Sequence, residues 1–153
     1  MTPIKVVIAD DHALFRDGLR KILSLEKDIL VVGEAANSEE VPKVVERTKP
    51  DILLLDLKMP RKTGMDVLEW LSEQAELRCL PVVVFTSSAH RTDIERAYEL
   101  GANAFVVKPA SMEKRAELAK AIGLFWLEFN EVPAICTEGL AAARKLRPER
   151  AGS

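Results

Sequence analysis

Cysteine is scarce in this chain. Cys79 and Cys136 are the only two, and their spacing is not that of metal ligands. They read as reduced cytosolic thiols. Long hydrophobic runs are missing too, since none approaches the roughly 20 residues that span a bilayer. Charge of one sign is also lacking. The net charge of -2 gives no global reason to expect nucleic-acid binding. There is no internal repeat and no low-complexity segment. Met1 to Ile4 lead straight into a strand, so no signal peptide is expected and the cytoplasm is the expected compartment.

What is present is enough chain for one domain with a buried core: 153 residues, 48% hydrophobic and 30% charged. The most informative stretch is Asp51 to Pro60. Ile52, Leu53, Leu54 and Leu55 form an unbroken apolar run, which suits a strand buried on both faces. The run stops at Asp56, and Met59-Pro60 and Gly64 then break the chain into a loop. In open parallel sheets, chemistry collects beyond the carboxyl ends of the strands.

The same grammar recurs along the chain. Ile4 to Ala9 predicts a first buried strand, stopped by Asp10-Asp11, with a helix over His12 to Leu25. A second strand is expected at Ile29 to Val32, closed by Gly33, and a helix capped by Ser38 runs to about Thr48. Met65 to Leu77 predicts a third helix. Pro81 to Phe85 is a fourth strand ending in Thr86, followed by a helix poor in apolar residues, Arg91 to Leu100, closed by Gly101. Ala104 to Val107 is a fifth strand, ending in Lys108-Pro109. Ser111 then caps a long helix reaching about Asn130. Five alternating strand–helix units force a parallel sheet with helices on both faces.

The polar residues at these strand ends are Asp10 and Asp11, Asp56, Thr86 and Lys108, with nothing comparable after the second strand. Taken singly, each has a bland reading. The acid pair could cap a helix, Thr86 could be a strand-end hydroxyl, and Lys108 a surface lysine. His12 reads as a helix-start residue, and Met59 and Met65 as packing. Together they describe a site. Three carboxylates brought close repel one another, and a hard divalent cation resolves the conflict. Lys108 and Thr86 suit a phosphoryl group, and a carboxylate can serve as its nucleophile.

The motifs IADDHALFRDGL, LLLDLKMPRKTG, VVVFTSS and FVVKPA, in this order, resemble the receiver domain of two-component response regulators. The resemblance covers residues 4 to about 130. It implies a flavodoxin-like α/β fold with strand order 2-1-3-4-5, an order that receivers of chemotaxis are known for. It implies that Asp56 accepts a phosphoryl group from a histidine kinase or phosphotransferase. Asp11 would hold Mg2+ directly and Asp10 through water, with the Lys58 backbone carbonyl a further ligand alongside Asp56. Lys108 would contact the phosphoryl group and Thr86 would swing toward it. Phe105 falls at the aromatic switch position, where many receivers have tyrosine. The expected role is a signalling switch rather than an enzyme.

Other classes fit less well. A haloacid-dehalogenase-type phosphatase needs a second acid two residues after its nucleophile, where this chain has Lys58. A flavin carrier would want a Ser/Thr/Gly-rich phosphate loop after the first strand, where Asp10-Asp11 would repel a phosphate. The receiver half of a DNA-binding regulator is the main alternative. About twenty residues remain after the fifth helix, too few for an effector domain. The expected division is therefore a receiver domain, 1–133, and an extension, 134–153, that is a short helix or a frayed basic tail.

GLFWLEFNEVP resembles the end of stand-alone receivers that partner phytochrome-type photoreceptor kinases. At about 100° per residue, Leu118, Ile122, Phe125 and Phe129 share one stripe of the long helix. Leu124 and Leu127 then point outward, with Trp126 flanking the stripe. This predicts a homodimer built on the fourth helix, fifth strand and fifth helix.

Overall fold

In a computed structural model that describes residues 3–59, 63–77, 79–87 and 90–124, the chain forms one parallel sheet with helices on both faces. The elements alternate throughout: β1 (Ile4–Ala9), α1 (Ala13–Ser24), β2 (Ile29–Ala35), α2 (Glu40–Thr48), β3 (Ile52–Leu55), α3 (Gly64–Glu73), β4 (Val82–Thr86), α4 (Arg91–Glu99), β5 (Ala104–Val107) and α5 (Met112–Leu124). The strand order is β2-β1-β3-β4-β5, as the sequence resemblance implied.

The apolar runs become strands because both faces of the sheet are covered. Alternate residues of β3 serve different layers. Leu53 and Leu55 pack with Val41, Val44 and Val45 of α2, Val67, Leu68 and Leu71 of α3, and Ala97 of α4. Ile52 and Leu54 pack with Phe15, Leu19, Ile22 and Leu23 of α1 and with Ala119 and Ile122 of α5. Each fully buried leucine in these layers contributes about 1.5–3 kcal/mol.

Four local expectations are corrected. Gly33 does not close β2, which continues to Ala35. A Cβ on Gly33 would lie 2.6 Å from Val44 Cγ1, so the glycine lets α2 lie close on the strand. The register also slips there, with Val6 opposite Val31 and Val7 opposite Gly33, leaving one extra residue in β2. Secondly, Ser38 is buried and does not head α2. Asn37 Oδ1 accepts the Glu40 amide at 3.1 Å, and the Glu40 carboxylate accepts the Ala36 amide at 2.7 Å. That reciprocal pair satisfies donors at the helix start. Thirdly, α3 ends at Glu73, because Gln74 turns into extended geometry.

The fourth correction concerns the thiols. Cys79 is disulfide-bonded, not reduced, and Cys136 lies outside the described residues. Two other expectations hold, while the expected reach of the last helix to about Asn130 lies outside the described residues. Ser111 Oγ accepts the Lys114 amide at 3.1 Å at the head of α5, and Gly101, at φ 104°, ends the α4 unit in a conformation glycine adopts freely. Among the described residues no helix is long and apolar enough to cross a membrane. The division at residue 133 and the expected tail lie outside the described residues.

Candidate functional site

Sheet order brings the polar strand ends together. β1, β3, β4 and β5 are consecutive neighbours, and β2, which carries no site residue, stands outside them. The register pairs Ala9 with Leu55, Leu55 with Val84, and Thr86 with Val107. Asp10, Asp56 and Lys108 each follow one of those paired positions, so one residue past the ladder is where the acids and the lysine meet. The backbone stays tied there. The Asp10 amide donates to the Ala35 carbonyl, the Asp56 amide to the Ala9 carbonyl, and the Lys108 amide to the Thr86 carbonyl, at 2.8–2.9 Å.

Lys108 Nζ is the centre of charge. It lies 2.6 Å from Asp10 Oδ2 and 3.1 Å from Asp56 Oδ2. Both carboxylates are buried. Asp56 Oδ1 also accepts the Lys58 backbone amide at 3.1 Å. Burial is the main influence on Asp56 and pushes its pKa up. The Lys58 amide and Lys108 pull it back, while the Asp10 charge adds to the rise. Asp11 lies at the open side of the cluster, partly exposed.

Three carboxylates against one lysine leave two negative charges uncompensated, and a divalent cation matches that deficit. One donor atom from each of Asp10, Asp11, His12 and Asp56 fits within a 4.8 Å group. The oxygens are hard donors of the kind that hold a small divalent ion. The acidic cluster can therefore bind a metal ion.

Thr86 is buried at the end of β4. His12 does stand at the N-cap position of α1 but makes no side-chain cap bond. Its Nδ1 instead lies 3.2 Å from Asp10 Oδ1, 3.2 Å from Asp11 Oδ1 and 4.0 Å from Asp56 Oδ2. Its backbone amide donates to Asp10 Oδ1 at 2.8 Å, so the acid that serves the site also turns the chain into α1.

Phe105 is half-buried on β5 and packs against the α2–α3–α4 layer. Leu124 is exposed on α5, as its angle predicted. Trp126 and Leu127 lie outside the described residues.

Three supporting residues escaped the sequence reading. The Arg16 guanidinium donates to the Asp10 carbonyl and to Glu34 Oε1. Phe15 lies under the ammonium of Lys108. Gly64 begins α3 directly against the loop that follows Asp56. A Cβ there would sit 2.5 Å from the Asp56 carbonyl oxygen and 2.8 Å from Leu57 Cα. The Gly64 amide donates to Leu57 O at 3.0 Å, and the Asp66 carboxylate accepts the Thr63 amide at 2.8 Å, so helix start and loop are one unit. Gly64 had a sequence signal, since it follows the turn after Asp56. Phe15 and Arg16 had none beyond their helical spacing.

Comparison with known proteins places this geometry. Residues 6–122 match the response regulator receiver domain. The transcriptional regulatory protein PdtaR of Mycobacterium tuberculosis is 37% identical over 148 residues, covering 97% of this chain and 69% of that protein. The nitrate/nitrite response regulator NarL of Escherichia coli is 36% identical over 120 residues, covering 78% of this chain but 53% of NarL. Among solved structures, the phosphorylated cyanobacterial phytochrome response regulator RcpA superposes with a TM-score of 0.79 at 25% identity, covering 87% of this chain and all of that one. With a family match along most of its length and a relative more than a third identical over nearly all of it, the chain belongs to the response regulator receiver domain family.

Proposed function

We propose that Asp56 is the phosphoacceptor of a two-component switch. A carboxylate oxygen of Asp56 forms the new P–O bond while the P–N bond of a phosphohistidine donor breaks. The bonding pair leaves on the donor imidazole, so this chain supplies no proton. The donor is a histidine kinase or phosphotransferase, and its supply of phosphoryl groups from ATP makes the cytoplasm the working compartment. The observation that carries this reading is the buried Asp56 carboxylate at a strand end, with Lys108 Nζ 3.1 Å away.

Asp10, Asp11, Asp56 and the Lys58 carbonyl would hold Mg2+, which would neutralise charge on the transferring oxygens. Lys108 keeps a positive charge beside those oxygens. Thr86 turns its hydroxyl toward the new phosphoryl group, and Phe105 on the neighbouring strand follows.

Output runs through the α4–β5–α5 face. Tyr98, Val107, Met112 and Leu124 expose apolar surface there, which supports a two-fold dimer. The likeness to RcpA supports a phytochrome-type kinase as donor.

A second reading is control of transcription. The PdtaR match extends beyond residue 122, where the receiver match ends. Retention of nucleic acid by the phosphorylated chain favours that reading, whereas none is expected of a stand-alone switch.

Intact-mass measurement with acetyl phosphate and Mg2+ tests the central assignment. One phosphoryl adduct is expected in the wild type and none in Asp56→Asn. An adduct that survives in Asp56→Asn contradicts it.

A further inference from the structure

Lys108 has a third neighbour besides its two carboxylates. The Phe15 ring of α1 is buried, and Lys108 Nζ lies 4.5 Å from its centroid. Arg115 of α5 approaches the same ring, with Cζ 4.7 Å from the centroid. Phe85 of β4 packs on it at 6.3 Å, tilted by 55°. The Arg115 Nε donates to the Pro109 carbonyl at 2.9 Å, and among the described residues Arg115 makes no ion pair with a carboxylate. Its guanidinium rests on the ring, on that backbone oxygen and on the Met112 sulfur, to which Nη1 donates at 3.7 Å.

Apolar packing alone does not account for this arrangement, because leucine would fill the same layer without attracting either cation. An aromatic face carries negative charge density, and a partly desolvated ammonium is drawn to it. The ring also differs in kind from the other two partners of Lys108. When a phosphoryl group joins Asp56, that carboxylate ceases to be a simple anion, and any metal bound nearby alters the field of Asp10. The ring face keeps its charge distribution throughout.

We propose that Phe15 is a positioning residue, whose π face seats the Lys108 ammonium at the phosphoryl site and links that seat to Arg115 of α5. The proposal rests on Asp56 being the phosphoacceptor. Through the shared ring, α5 senses where Lys108 stands without a direct contact between the two cations.

The test replaces Phe15 by mono-, di- and trifluorinated phenylalanine in the full chain, which drains the ring of π density while nearly keeping its shape. Beryllofluoride, as the phosphoryl mimic, is titrated calorimetrically with Mg2+ present. The Kd is expected to rise stepwise along the series, by about tenfold at the last member. Phe15→Leu should weaken binding as much as the trifluoro ring, and thermal denaturation checks that it folds. Equal affinities within twofold across the fluorinated series would overturn the proposal and leave Phe15 a packing residue. A wild type that fails to bind beryllofluoride would instead refute the phosphoacceptor reading. The NMR signal of the Lys108 ammonium in the free protein then decides the role of the ring. It must shift progressively with fluorination, and an unmoved signal overturns the proposal.

Discussion

The two sides of the site are built differently. On the acid side, β3 is buried at every residue, β1 is buried at all but Lys5, and Asp10 and Asp56 are each only 2% exposed. On the lysine side, β5 is half-buried to exposed, α4 buries only Ala97, and Tyr98, Val107, Met112 and Leu124 stand out of the core. In the proposed switch, the carboxylate that meets the phosphoryl donor is set on the more buried side. Elements with few buried contacts open and shift at low cost, and these lie on the side proposed to carry output. Lys108 bridges the two, since it leaves the least buried side of the site and ends among the acids of the buried strands.

The contrast predicts unequal responses to truncation. Leu53→Ala, which removes a fully buried side chain from β3, should cost about 2–5 kcal/mol, whereas Val107→Ala on β5 should stay within about 0.5 kcal/mol. Urea unfolding of both variants measures the difference, and equal losses would erase the distinction. Gly64→Ala should follow, costing about 1–3 kcal/mol because its Cβ meets backbone rather than a flexible side chain. Its phosphorylation by acetyl phosphate should slow as well, since the displaced carbonyl belongs to Asp56.

A subtler effect concerns the charge on Asp56. Its pKa is raised above the ordinary value of 3.8, chiefly by burial, so ionised Asp56 weakens the metal-free fold. The folded state binds more protons than the unfolded chain between those two values. Wild-type stability therefore gains as pH falls through that window. Asp56→Asn should be the more stable protein at neutral pH, and its advantage should shrink as the pH is lowered toward 3.8. Thermal melts of both proteins across pH, with chelator present, check the sign. The smallest effect on stability is expected from Leu124→Glu. An exposed side chain contributes little to the fold, but the change should abolish the proposed dimer in sedimentation of the beryllofluoride-activated chain.

Much of this contrast was legible in the sequence, for a physical reason. A strand buried on both faces must be apolar at consecutive positions, so Ile52 to Leu55 announced both its element and its place in the sheet. Polar residues that stop such runs have nowhere to go but the sheet end, which located Asp10, Asp56, Thr86 and Lys108. Contacts made across the fold were harder to read. Gly33 looked like a strand stop because its true neighbour, Val44, lies in the next helix. Ser38 looked like a cap, yet Asn37 one residue earlier accepts the helix amide. His12 and Phe15 carried only the spacing of α1. The contacts of His12 with Asp56 and of Phe15 with Lys108 arise when separate strands converge.

Hydrogen exchange with and without beryllofluoride and Mg2+ tests the division of labour most directly. Activation should change protection across α4, β5 and α5, while β1 and β3 keep theirs. Equal changes in both halves, or changes confined to β1 and β3, would contradict a rigid acid side driving a looser output side.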